Sequence, residues 1–214
     1  MKPLLVIGAS RGIGLAVVKR ALERGHAVRA FARSAARIPI EHPALEKMAG
    51  DARSPEDLRR ALDGMGAVVL SLGVPPDPRF IIGPVDLFST ATRALLPAMQ
   101  EAGVRRLVVV TGFGAGDSRA AIPLLQRLPF QMVFGRAYAD KDVQEQLVRD
   151  SGLDWTLVRP GVLTNGRSTG RLRVLAEPAT WGNGIVSRAD VADFIVGQID
   201  SREFVHKGPV VIGG

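Results

Sequence analysis

Three glycines, spaced as Gly8-Ala9-Ser10-Arg11-Gly12-Ile13-Gly14, stand directly after the apolar run Leu4-Leu5-Val6-Ile7. Glycine at this spacing lets a chain turn sharply off a strand and bring its backbone against a pyrophosphate with no Cβ in between. The amides that open the following helix, and the positive end of its dipole, then face the anion. Gly8, Ser10, Arg11, Gly12, Ile13 and Gly14 are therefore candidate phosphate contacts. The amphipathic run Leu15 to Leu22 supplies the helix that such a device requires.

A site specific for NAD places a carboxylate about 20 residues after the glycines, where it binds the adenosine ribose hydroxyls. Here that region reads Ala32-Arg33-Ser34, with no acid until Glu41. A carboxylate repels a 2′-phosphate, whereas a guanidinium holds it through two parallel hydrogen bonds. Arg11 is placed to reach the same phosphate, so Arg11, Arg33 and Ser34 point to NADP. The plainer alternative is a pair of solvated surface arginines. Asp51-Ala52 could take the adenine amino group or merely cap a loop. Ser71-Leu72-Gly73 could let a cofactor lie close to the backbone.

These groups need strands to carry them. Apolar runs predict strands over 3–8, 26–32, 45–49, 66–70, 105–111, 155–158 and 209–212. Helices are predicted over 12–24, from Ser54 to Gly64, over 85–102 with a bend at Pro97, over 137–150 and over 188–200. Ser54 with Pro55 is a good helix start. A loop is expected from Gly73 to Pro78. Strands alternating with helices imply a parallel sheet covered on both faces. With glycines after the first strand, this is an α/β fold: one doubly wound, Rossmann-type dinucleotide domain over 1–214, with substrate-side insertions near 112–136 and 161–187. Every candidate named above falls at the carboxyl end of a strand, where such sheets bind ligands.

Composition bounds the chemistry. With 46% apolar and 23% charged residues, 214 residues suit one soluble domain. Zero cysteines exclude disulfides and thiolate catalysis. His26, His42 and His206 are scattered without metal-ligand spacing, so no metal is expected. No apolar run approaches the ~20 residues of a membrane span, and no signal peptide is evident. The expectation is a cytoplasmic protein, monomeric or homodimeric. The net charge of +7 is spread along the chain and aromatics are only 5%, which argues against a nucleic-acid partner.

The chain resembles the short-chain dehydrogenase/reductase superfamily, and more closely its atypical branch of NmrA-like and biliverdin/flavin-reductase-like NAD(P)-binding proteins. Nearly all 214 residues take part. The likeness rests on the glycine loop, Arg33-Ser34 and Gly50-Asp51-Ala52. It also rests on Ser151-Gly152-Leu153-Asp154-Trp155-Thr156-Leu157-Val158-Arg159-Pro160-Gly161 and Ser187-Arg188-Ala189-Asp190-Val191-Ala192. It implies that residues around and after Pro160 line the nicotinamide end, making Pro160, Gly161 and Val162 candidate contacts. Arg159 and Arg188 read as structural.

The superfamily's usual active site joins a Ser or Thr after the fifth strand to a Tyr and a Lys four residues apart. The resemblance maps Thr111 and Lys141 onto two of these, but Ala137 stands where Tyr is expected. Tyr138 lies three residues before Lys141, rotated by about 100° on a helix. Three readings follow. Tyr138 is a displaced acid working with Thr111 and Lys141, as in a carbonyl reductase or epimerase. Alternatively, solvent supplies the proton while hydride passes from NADPH to a small-molecule acceptor such as a flavin, linear tetrapyrrole or quinone. In the third, the protein is a non-catalytic NADP(H)-sensing regulator. The flavin-reductase-like proteins also lack the dyad, which favours the second. Ile122, Leu124, Leu125, Phe130, Met132 and Phe134 are expected to form an apolar wall over the acceptor, or a core or dimer contact.

Overall fold

A computed structural model of the chain describes residues 2–74 and 85–214, with only the backbone described at 125, 126, 129, 130 and 133. Strand β1 (Leu4–Ile7) leads into α1 (Gly12–Glu23), β2 (Val28–Ala32), β3 (Leu45–Ala49), α2 (Pro55–Leu62) and β4 (Ala67–Leu70). Then come α3 (Leu87–Glu101), β5 (Arg106–Val110), α4 (Leu124–Arg149) and β6 (Asp154–Pro160). Strands β7 (Val162–Thr164), β8 (Leu172–Leu175) and β9 (Ile185–Ser187), α5 (Arg188–Asp200) and β10 (Val210–Gly213) complete the order.

The main sheet runs β3-β2-β1-β4-β5-β6-β10-β8, parallel except for β8, which pairs antiparallel with β10. A small parallel pair, β7 with β9, stands beside it. The sequence dictates this burial. In β1, Leu4 and Val6 face one side, where α1 and α5 pack through Val17, Val18, Val191 and Ile195. Leu5 and Ile7 face the other, against Leu58 and Leu62 of α2 and Leu95 and Met99 of α3. A strand covered on both faces has no solvated side, so its apolar run is unbroken. The predicted doubly wound α/β sheet is the observed one.

Two differences stand out. Helix α4 begins at Leu124, well before the predicted 137. Pro123 precedes it and Pro129 removes one hydrogen bond near its start without ending it. Strands β7, β8 and β9 were not predicted, being three or four residues long, too short to show a periodic pattern. Of the expected loop from Gly73 to Pro78, positions 75–78 lie outside the described residues. Among the described residues no helix is long and apolar enough to cross a membrane, and no group of acidic or histidine side chains could hold a metal.

Candidate functional site

In-register pairing decides which loops meet. Ile7 lies beside Phe31 of β2 and Leu70 of β4, so Gly8, Ala32 and Ser71 leave the sheet together. Val109 pairs with Leu70, and Val110 with Val158, which brings Thr111 and Pro160 to the same edge. Between these ends opens a cleft of about 910 Å³. It lies at the carboxyl ends of the strands, across the point where strand order reverses between β1 and β4.

The glycine loop divides its work. At Gly8 (φ +87°) a Cβ would stand 2.3 Å from the Ser71 carbonyl oxygen, and at Gly14 one would stand 2.2 Å from the Gly8 oxygen. Those two positions let strand and helix pack closely. At Gly12 (φ +61°) nothing lies within 4 Å of the Cβ position, so the space above it opens into the cleft. Helix α1 has no side-chain cap and no acid in its first turn. Uncapped amides beneath an open cradle fit a dinucleotide pyrophosphate. Ser10, Arg11, Gly12 and Ile13 line the cleft beside Gly8.

On the β2–β3 side the lining holds Ala32, Arg33, Ser34, Asp51 and Ala52. It also holds Arg37, which sequence reasoning missed. A single turn of tight helix over Ala35–Arg37 folds that side chain back beside Arg33. Among the described residues, none of Arg11, Arg33 and Arg37 has a carboxylate partner. Asp51 is bound by Arg53 through both carboxylate oxygens, at 2.8 and 3.2 Å. Those hydrogen bonds hold its carboxyl down at about 2, against the opposing effect of burial. Ser71, Leu72 and Gly73 complete the middle of the cleft.

At the β5–β6 end, Thr111 and Lys141 both line the cleft, joined by Pro160. Helix α4 grips Thr111 twice. The Lys141 ammonium donates to the Thr111 carbonyl oxygen, and the Thr111 hydroxyl donates to Glu145 Oε1 at 2.7 Å. Lys141 and Glu145 are four residues apart and so share a helix face. Glu145 in turn takes two hydrogen bonds from the fully buried Arg159, at 3.0 and 2.5 Å, and Arg159 also pairs with Asp117. Arg159 is structural, as the resemblance implies, and Glu145 was not foreseen. Burial pulls the Lys141 ammonium down to about 8.

Tyr138 is outside the cleft lining. A Cβ on Gly112 would stand 2.6 Å from its hydroxyl oxygen, so the phenol packs against the backbone after β5. Burial, followed by the charge of Glu145, pushes the phenol up to about 12. Thr111 and Lys141 thus line the cleft, while Tyr138 stays out of that lining with its ring centroid 5.1 Å from the Lys141 ammonium.

Gly161 and Val162 do not line the cleft either. Gly161 allows β7 to approach β9, since a Cβ there would stand 2.2 Å from the Gly184 oxygen. Val162 is 55% exposed. Alternation along β7 turns Leu163 inward instead, and Leu163, Asn165 and Arg188 complete this end. The expected apolar wall is not continuous. Ile122 is buried with Phe113, Val210 and Ile212, whereas Leu124 and Met132 are more than 70% exposed and Phe134 is 49% exposed. The side chains of Leu125 and Phe130 lie outside the described residues.

A sequence profile described as NAD(P)H-binding matches residues 8–202. An uncharacterised chloroplastic protein of Arabidopsis thaliana is 30% identical over 213 residues, covering 96% of this chain and 75% of its own length. An NAD(P)H azoreductase of Xenophilus azovorans is 30% identical over 159 residues, covering 74% of this chain. The matched part is only 47% of that relative's length. An anaerobilin reductase from Escherichia coli O157:H7 superposes with a TM-score of 0.81 at 24% identity, covering 99% of this chain and 97% of that one, a likeness of fold.

Proposed function

The chain belongs to the NAD(P)H-binding family, and from that premise we propose that it is an NADPH-preferring reductase of the atypical short-chain type. Its acceptor is a conjugated small molecule such as a flavin, a linear tetrapyrrole or a quinone. One observation carries this reading. The cleft has an anion cradle and, at one side, three arginines with no ion pair among the described residues, Lys141 at the other, and no phenol among its described lining residues. The azoreductase among the relatives, named for an acceptor with a conjugated bond, supports the same class.

When bound, NADPH supplies the hydride. Gly12 and the first amides of α1 hold the pyrophosphate, and Arg11, Arg33 and Arg37 hold the 2′-phosphate. Asp51 accepts from the adenine amino group. Lys141, steadied by the Thr111 carbonyl, donates to the nicotinamide ribose. Tyr138 keeps its proton and lies outside the cleft lining, so solvent would provide the proton, and the acceptor would gain a hydride and a proton in total.

Spectrophotometric NADPH oxidation with FMN, biliverdin and small quinones tests the proposal. At least one acceptor is expected to turn over. Tight NADPH binding with no turnover on any of them would sink the reductase reading and favour a cofactor-sensing regulator.

A further inference from the structure

Among the described residues, five cationic side chains line the cleft, Arg11, Arg33, Arg37, Lys141 and Arg188, against one carboxylate, Asp51. The first three lie by β1 to β3, where the 2′-phosphate binds, and the α1 amides between them take the pyrophosphate. Arg188 opens α5, the helix that packs over β5 and β6. From β2 to β6 is four strand spacings, roughly 19 Å at about 4.8 Å each. It is too far away to serve the 2′-phosphate.

Its surroundings hold it fixed and leave it charged. Ser187 caps α5 by accepting from the Asp190 amide at 2.9 Å. Asp190, two residues beyond Arg188, is buried and fully engaged. It accepts from Ser168 Oγ, from Thr169 through amide and hydroxyl, from the Gly170 amide and from Ser187 Oγ, at 2.8–3.1 Å. Those bonds pin the loop carrying Asn165 into the cleft, and Arg188 Nη1 donates to Asn165 Oδ1 at 2.8 Å. Among the described residues no carboxylate pairs with Arg188. Among the described residues nothing accepts from its remaining N–H groups or from the Asn165 amide, and together they form an open donor set.

We infer that Arg188 and Asn165 form a second anion subsite, which takes a carboxylate or phosphate carried by the acceptor. The acceptor is then anionic as well as conjugated, which deepens the reductase reading and rests on it. A guanidinium aimed at such a group gives a charge-assisted, geometrically selective contact.

FMN and riboflavin share one ring system and differ by a phosphate, so they isolate this contact. Flavin-fluorescence titration of the NADP⁺-saturated protein is expected to show FMN binding at least tenfold tighter than riboflavin. Arg188→Gln should remove that preference, Arg188→Lys should retain part of it, and NADP⁺ affinity should shift less than threefold in both. Equal binding of the two flavins by the unaltered protein overturns the inference. So does a tenfold loss of NADP⁺ affinity in Arg188→Gln, which would assign the contact to the cofactor's pyrophosphate. The reductase reading fails separately, if FMN binds but none of the acceptors oxidises NADPH.

Discussion

Arg33 keeps its full set of donors, because no side chain among the described residues accepts a hydrogen bond from it, and the charge of Asp51 acts on it only from a distance. A hydrogen bond to a charged group contributes about 1.5–3 kcal/mol, and about 1.4 kcal/mol is a factor of ten in affinity. Arg33→Ala is therefore expected to weaken NADPH binding about tenfold while NADH changes less than twofold. Equal losses for the two cofactors would remove the case for NADP. Arg33 was legible in the sequence through the missing acid; Arg37 was not, because only the tight turn over Ala35–Arg37 returns it to the cleft. Tyr138→Phe should alter turnover less than threefold, since the phenol lies outside the cleft lining, and a hundredfold loss would restore a tyrosine mechanism. Lys141 carries a pH dependence. Burial sets it at about 8, so the donating ammonium is present below that pH and lost above it. NADPH affinity should fall between pH 7 and 9, and Lys141→Arg, charged throughout, should flatten the profile. Stability moves the opposite way. Between about 8 and the ordinary lysine value of 10.5 the unfolded chain holds the extra proton, so this group's contribution to stability rises with pH.

Elements explain why some substitutions would damage binding and others the fold. Gly12 has open space at its Cβ position, whereas at Gly14 a Cβ meets a backbone oxygen at 2.2 Å. Gly14→Ala should lower the melting temperature, by about 1–3 kcal/mol of overpacking. Gly12→Ala bears the strain of a left-handed residue, and its main effect should be lost NADPH binding, read by cofactor titration. If the two variants lose binding and stability in the same proportion, this division of roles is wrong. The clamp of α4 on Thr111 is an element-scale device too. Glu145→Gln uncouples the buried Arg159 and should cost about 3–5 kcal/mol by denaturant unfolding. Helix α1 and the strands β1, β4 and β5 could be read in advance, because strands buried on both faces leave nearly unbroken apolar runs. Glu145 could not, since the sequence does not say which residues of α4 face Thr111. The start of α4 was hidden by two prolines that do not stop it, and β7 by its length of three residues. With β7 missed, the sequence reading pointed to Gly161 and Val162, whereas the residue of β7 in the cleft lining is Leu163.

At the scale of the whole molecule, the formal charge of +7 matters less than where it gathers. With five cations to one acid among the described residues lining the cleft, field lines converge there and anionic ligands are steered inward. Between 50 and 300 mM salt, NADPH affinity should fall more steeply than that of NADH, which carries no 2′-phosphate; parallel slopes would count against the arginine side of the cleft. The fold class was legible from the alternation of strands and helices, and the strand order at the glycine end follows from it. The far edge was not, because β10 enters between β6 and β8 from late in the sequence. That insertion imposes an order of assembly. Arg159 and Gly161 amides donate to the Pro209 and Val211 carbonyls, so β6 gains its outer neighbour only when residues 209–211 arrive. On a ribosome the cradle around Gly12 can form while this flank is still incomplete. A nascent chain stalled before residue 209 is then expected to grasp a dinucleotide well before it can reduce anything.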